Sequence, residues 1–422
     1  MASRPLPSVV QTKRFEEKRE LILNAAALLF NERGVKGATF AAIAGKVGLV
    51  PNSVTYYYRK KEDLASACFL RATAALDRIA AEAGSAVTIE ARVQRFLIGH
   101  AELLADMVRG DCPPMILFNE LHALPEPHLG QVYAAYTALF RKVRRLLRGP
   151  RTESLSRDEL TARAHLLLSV AHWMRLWISH HEPTQYRRIA ERLGDVVLQG
   201  ISIGDMGWQR GAGEHEWRLA EDAGGTVEAF LRAATRLVNE QGYEGASIAK
   251  ISALLNLTKG AFYHHHENKN DLIEACFERT FSVMRRTLDL SDAAGGRGWD
   301  RLRATVCALI RFQFAPEGPL LRAAATSAMP DSAHRDEVRR TLSQLTERIA
   351  YAVVDGMVDG SIRPVDPSVT AHLVVAGINA TAEARRWIAG LLPEEAVRLY
   401  APPLLLGLLT TAPSRRAETC SV

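Results

Sequence analysis

A chain of 422 residues, 47% hydrophobic and 24% charged, has room for two to four globular domains and is too apolar for a disordered protein. Its five cysteines (Cys68, Cys112, Cys276, Cys307, Cys420) are odd in number and form no C-x-x-C pair, which excludes a disulfide framework or a cysteine zinc site as the organising element. The net charge of +6 is unevenly placed: residues 1–72 hold 12 Lys and Arg against 6 Asp and Glu, whereas residues 226–280 hold 6 against 7.

Taken in chain order, the first seven residues, Met-Ala-Ser-Arg-Pro-Leu-Pro, lack the apolar core of a signal peptide. Residues 15–33 carry Leu21, Ala25, Leu28 and Leu29 at three- and four-residue spacing, which predicts a helix with those side chains inward. Gly34 is placed to stop it. Thr39 is the N-cap of a second, short helix with Ile43 and Val47 on its inner face. Gly48 breaks that helix at a turn that needs a left-handed residue. A third short helix follows over residues 51–58, with Pro51 suited to the first helical position. A fourth starts near Lys61 and runs to about Ala80.

The pattern then repeats 208 positions on. Of the 50 positions from 22 to 71, 19 are identical without a gap, among them Asn31 and Asn239, Gly34 and Gly242, Asp63 and Asp271, Cys68 and Cys276, and Arg71 and Arg279. That period is far too long for a solenoid and means two copies of a whole domain pair. Ser247 falls on Thr39, and Asn256 falls on Gly48; Asn is the residue next most tolerant of a left-handed turn. Thr258 offers an N-cap for the third helix of the second copy, which begins at Lys259.

Two short helices joined by a tight turn and buttressed by a longer one make a helix-turn-helix unit, whose second short helix enters the DNA major groove. The stretch 22–64 resembles the N-terminal domain of TetR-family transcriptional regulators. Copy two follows that pattern in Ile251-Ser252, in Leu257-Thr258-Lys259-Gly260-Ala261-Phe262-Tyr263-His264-His265-His266, and in Lys269 and Leu272. Copy one follows it in Thr39, Ile43-Ala44, Gly48-Leu49, Tyr56-Tyr57-Tyr58, Lys61 and Leu64, and departs at Val50-Pro51-Asn52 and Thr55. A weaker trace at an offset of 210 places Arg175, Trp177, Ile178 and Pro183 on Arg385, Trp387, Ile388 and Pro393.

The resemblance implies an all-α protein of two tandem units. The expected helix-turn-helix domains are 14–60 and 226–268, each followed by a helical effector and dimerisation domain, 61–203 and 269–412, with a Gly- and charge-rich linker at 204–225. In the family the last two helices of each effector domain form a four-helix bundle with a second subunit; here these are roughly 160–180 with 184–203, and 367–390 with 394–411. A linker of some 20 residues spans about 65–70 Å when extended, enough for copy two to fold back on copy one. The arrangement expected is an intramolecular pseudo-dimer reading an asymmetric operator; a homodimer with four heads is the competing one.

Double-stranded DNA is the implied partner, and a repressor the implied role. In copy one the DNA-binding residues expected are Thr39, Pro51, Asn52, Ser53, Thr55, Tyr56, Tyr57 and Lys61; in copy two they are Ser247, Thr258, Lys259, Gly260, Tyr263, His264, His265 and Lys269. Tyr56, Tyr57, His264 and His265 suit phosphates, and Asn52, Ser53, Thr55, Lys259 and Tyr263 suit base edges. Lys61 and Lys269 stand where the family contacts a phosphate. Arg4, Lys13, Arg14, Lys18 and Arg19 form a basic arm that either lies along the DNA backbone or in the minor groove, or is a disordered basic tail.

Three consecutive histidines on a helix point about 100° apart and cannot share one metal ion, so no metal and no cofactor are expected. Cys68 and Cys276, each beside Phe, read as a shared core position. The run 164–178 is interrupted by His165, His172 and Arg175 and reads as a buried helix; no membrane span is expected, and the location expected is cytoplasmic. The effector domains offer Phe118, His122 and Trp173 as walls for a small, largely apolar molecule. No G-x-S-x-G, phosphate loop, dinucleotide fingerprint or H-E-x-x-H is present, so an enzyme is not expected. The alternative is a helical scaffold that keeps the fold without reading DNA.

Overall fold

A computed structural model describes residues 13–203, 217, 219, 225–257, 268–329 and 332–410. Every regular element among them is a helix, and the β-type pairing is an isolated bridge between Ser202 and Ile362. Helix α1 spans Lys13–Gly37 and kinks at Gly34, whose φ of 70° is the left-handed stop expected there. Its buried face is Ile22, Leu23, Ala26, Leu29 and Phe30, whereas Leu21 and Leu28 are 54% and 42% exposed. The three- and four-residue spacing expected for Leu21 and Leu28 is also satisfied one position on, by Ile22, Ala26 and Leu29; tertiary packing chose that row.

Helix α2 is Phe40–Lys46, with Thr39 Oγ1 accepting from the Ala42 amide at 3.1 Å. Helix α3 is Pro51–Tyr57, and α4 is Lys61–Gly84, four residues longer than expected. Ile43 and Ala44 of α2 and Val54 of α3 are fully buried against α1 and α4. The rest of the first half is α5 (Ile89–Arg109), a 3-10 turn (Phe118–Ala123), α6 (His128–Leu146), α7 (Arg157–Trp177) and α8 (Tyr186–Gln199). Ser156 and Glu159 form a reciprocal capping box that starts α7, with bonds of 3.2 and 2.9 Å.

The second half repeats this plan with α9 (Thr226–Gly245), α10 (Ile248–Leu254), α11 (Lys269–Ala294), α12 (Gly298–Phe314), α13 (Ser332–Val358), α14 (Pro367–Thr381), α15 (Ala384–Trp387) and α16 (Pro393–Leu405). The third short helix expected there, with Thr258, Lys259, Gly260, Tyr263, His264 and His265, falls outside the described residues. Of the linker, Trp217 is half-buried and Leu219 is buried against the core, so at that point the segment is not a free spacer.

The two halves meet along a seam where α7 and α8 pack on α14 and α16. Trp177 stacks on His372 at 4.5 Å and Trp387 on Phe140 at 3.7 Å, so the two tryptophans paired by the 210-residue offset each cross to the other half. Backbone joins backbone: the Ile201 amide donates to the Leu405 carbonyl, Leu408 to Val197 and Arg363 to Ile201, each at 2.9 Å. Gly200 and Gly407 make this approach possible. A Cβ on Gly200 would stand 2.3 Å from the Leu406 carbonyl carbon, and one on Gly407 2.3 Å from the Leu198 oxygen. Arg163, 2% exposed, crosses the seam to donate to the carbonyls of Leu408 (2.8 Å) and Thr410 (2.6 Å). Arg363 returns to Gly200 O and to the Asp195 carboxylate at 2.8 and 2.6 Å. No helix among the described residues is long and apolar enough to cross a membrane.

Candidate functional site

The two turns are alike in detail. In the first half, Gly48 takes a φ of 66° and the Leu49 amide returns to Ala44 O at 2.9 Å. In the second, Asn256 takes a φ of 55° and the Leu257 amide returns to Ser252 O at 3.0 Å. Ser247 caps α10 as Thr39 caps α2, accepting from the Lys250 amide at 3.3 Å. Asn256 is also the one non-glycine residue with positive φ among those described.

On the first head, Val54 and Tyr58 face the core while Pro51, Asn52, Thr55 and Tyr56 are exposed, beside the exposed Thr39; Ser53 and Tyr57 are half-buried. Tyr56 is 70% exposed and stands edge-on to Tyr57 at 5.2 Å, and Phe15 of α1 closes the cluster 4.7 Å from Tyr57. The Thr55 hydroxyl donates to Asn52 O at 2.9 Å and keeps its acceptor lone pairs free to turn outward. Lys61, expected at a phosphate, stands at the start of α4. Its ammonium donates to the carbonyls of Lys36 (2.7 Å) and Ala38 (2.9 Å), tying α4 to the end of α1, and burial lowers its pKa. Lys269 lies 3.9 Å over the Tyr243 ring. Arg59 and Lys60 follow α3 on exposed positions that the motif reading passed over; an exposed cation beside such a helix was legible.

The heads are tied to the helical domains that follow them by matching clamps. Asn31 donates to Met115 O at 2.9 Å and accepts from the Leu117 amide at 2.7 Å. Asn239 donates to Leu320 O at 2.8 Å and accepts from the Arg322 amide at 3.0 Å. Arg71 adds Glu20 (3.1 Å) and Pro114 O (2.7 Å); Arg279 adds Glu228 (2.8 Å), Pro319 O (3.2 Å) and Glu317 O. Cys68 and Cys276 donate to Leu23 O and Leu231 O across the same helix pair, and burial pushes both thiols up to about 12, which suits inert core residues.

A cavity of about 140 Å³ lies at the seam. Of the expected pocket residues it brings in Phe118 and Trp173; the side chain of His122 lies outside the described residues. The first half also supplies Met115, His100, Tyr136, His165, His172 and Arg175, and the second supplies Arg322, Asn379, Glu383, Arg386 and Trp387. A second space of about 40 Å³ is lined by half two except for Trp173 of half one, and shares Trp173 and Asn379 as a wall with the first.

Burial holds His100 down to about 3, helped by His172 and Arg175, and His172 and His165 down to about 4, with Glu383 opposing both. All three rings are therefore neutral near pH 7. Burial raises the Tyr136 hydroxyl, so it stays protonated. Arg322 pairs with Glu383 at 2.6 Å, and Arg386 shares that carboxylate at 3.3 Å. Arg175 donates to Met115 O at 3.1 Å, and burial lowers its pKa. His165, His172 and Arg175 are the three residues that break the apolar run of α7. They were the signal for this cavity, but nothing in the sequence showed that its far wall came from residues 322–387.

The family model for bacterial regulatory proteins of the tetR family matches residues 22–68 and 230–276, again 208 residues apart. The chain is 41% identical over 66 residues to the transposon Tn10 TetC protein of Escherichia coli, covering 16% of this chain and 34% of that one. It is 21% identical over 146 residues to the uncharacterized HTH-type transcriptional regulator YhgD of Bacillus subtilis, covering 35% and 76%. It is 27% identical over 145 residues to the HTH-type transcriptional repressor DhaR of Mycobacterium sp., covering 34% and 73%. The chain thus spans about a third of TetC and about three quarters of the other two. Each head is thus similar to the DNA-binding domain of the tetR family, and the chain carries that domain twice.

Proposed function

We propose that the chain represses transcription as an intramolecular pseudo-dimer: each half supplies one head, and the two read an asymmetric operator with half-sites about 34–36 Å apart. The observation that carries this reading is the seam, where α7 and α8 take α14 and α16 as the partners that a second subunit would otherwise provide. In the first head Asn52, Ser53 and Thr55 read bases and Tyr56 and Tyr57 hold phosphates; Thr258, Lys259, Gly260, Tyr263, His264 and His265 serve the second. The unit boundaries are those of the repeat, 14–203 and 226–412. DhaR, named a repressor, supports the sign of the response.

An effector in the seam cavity releases DNA through the asparagine clamps, because Met115, Leu117 and Arg322 belong both to a clamp and to the cavity wall. A 100-fold drop in DNA affinity needs roughly 2.7 kcal/mol of differential ligand binding. The deciding experiment pairs a native mass at micromolar concentration with a footprint on the DNA flanking the gene. One chain of 46.5 kDa on a single non-palindromic site supports the proposal. Twice that mass replaces it with a four-headed homodimer, and weak binding indifferent to sequence and salt favours the scaffold.

A further inference from the structure

The seam cavity combines three features. Its size is close to the roughly 150 Å³ apolar cavity that admits benzene. Its walls are planar rings: Phe118 lies 5.4 Å from His172 and 5.2 Å from Tyr136, and Tyr136 lies 6.3 Å from Trp387. Third, Arg175 has no carboxylate within 4 Å among the described residues, while Glu383 already pairs with Arg322 and Arg386. A buried cation without a counter-charge is costly unless something supplies the anion.

The residues that carry unused donors line the same space. Both ring nitrogens of His100, which is 4% exposed, have no hydrogen-bond partner among the described residues, nor have His172 Nε2, Trp173 Nε1 and Arg322 Nε. A neutral imidazole and an indole each offer one N–H, and with the guanidinium of Arg175 they suit a pair of carboxylate oxygens.

We propose that the seam cavity binds one small aromatic carboxylate per chain, the carboxylate meeting Arg175 and His100 and the ring lying among Phe118, Tyr136 and Trp387. As an effector site it rests on the regulator reading above; as a binding site it does not. The ligand proposed differs from the largely apolar effector expected from the sequence. It also makes the site unique: its wall draws on both halves, so repetition of the sequence does not double it. Because Arg175 and Asn31 share Met115 O, and Arg322 is bonded to Asn239, one ligand addresses both heads.

The test is calorimetric titration of the full chain, without DNA, with benzoate, 4-hydroxybenzoate and the uncharged isostere benzamide. Expected are one site per chain and a benzoate-type acid binding at least roughly ten-fold tighter than benzamide, the margin of a charge-assisted bond. Arg175→Met should abolish that margin while benzamide binding stays within about two-fold, and Arg175→Lys should restore part of it. Two equal sites, equal binding of benzamide, an unaltered margin in Arg175→Met, or no saturable binding of either acid overturns the proposal. DNA binding is scored separately on the ligand-free chain. If it is absent while benzoate binds once, the regulator reading fails and the site stands; if the footprint is present and both acids fail, the reverse holds.

Discussion

Replacing Arg163 by Met keeps the length of the aliphatic stem and removes the guanidinium that bridges the seam. Arg163 Nε and Nη2 donate to Leu408 O and Thr410 O in the opposite half, and Nη1 to Glu159 O on its own helix. Leu408 is buried, so its carbonyl is left unpaired at a cost of about 1–3 kcal/mol. Thr410 is half-buried and regains water, and relief of the buried cation offsets part of the loss. The net effect expected is about 2 kcal/mol, confined to the seam. Hydrogen exchange is the assay: the Leu408 amide, which donates to Val197 O, should exchange roughly 30-fold faster in Arg163→Met. Amides of α2 should not change, and Arg163→Lys should fall between the two. Unchanged protection over residues 404–410 would refute the reasoning, as would an equal loss at the seam and in the heads.

Gly48→Asn should be nearly silent, because Asn256 already holds the equivalent turn and nothing lies within 4 Å of the added Cβ; Gly48→Val should cost about 1–2 kcal/mol in thermal melts. Lys61→Met should lower stability by about 1 kcal/mol through its two lost carbonyl contacts and leave the salt slope of DNA binding unchanged; a slope flatter by about one would restore the phosphate role. The buried histidines set a pH window. Their pKa values in the folded chain, about 3 for His100 and about 4 for His165, lie below the ~6.5 of an unfolded chain, so protons favour unfolding as pH falls from about 6.5 toward about 4. Each such residue should add up to about 1.4 kcal/mol of lost stability per pH unit in urea titrations, and His100→Phe should remove one share of that slope. A pH-independent midpoint between 7 and 5 would remove the neutral-histidine picture.

The heads were legible because their constraints are local. A left-handed turn residue and a side-chain cap each act within four residues, and the repeat states both twice; the first-position proline belongs to copy one alone. The exposed Leu21 and Leu28 show where that logic thins: helical spacing defines a face only to within one residue, and partners decide the rest. The seam was visible as a faint 210-residue echo in Trp177 and Trp387, without any sign that each ring crosses to the other half. The cavity was least legible. Arg322 and Glu383 are unremarkable charges in sequence, and they become wall residues only after the two halves dock. Lys61 matches the family position for a phosphate contact, yet the carbonyls at the end of α1 compete for the same ammonium.

The seam bears on how such a protein behaves at low abundance. A regulator assembled from separate subunits falls apart on dilution, so its active fraction rises steeply with copy number. In the proposed pseudo-dimer the partner is always in attendance, at an effective concentration on the order of millimolar for a short tether. The working species would therefore scale linearly with the number of molecules made, down to a handful per cell. Nor could a half be borrowed by a related protein's subunit while its own covalent neighbour occupies the docking face.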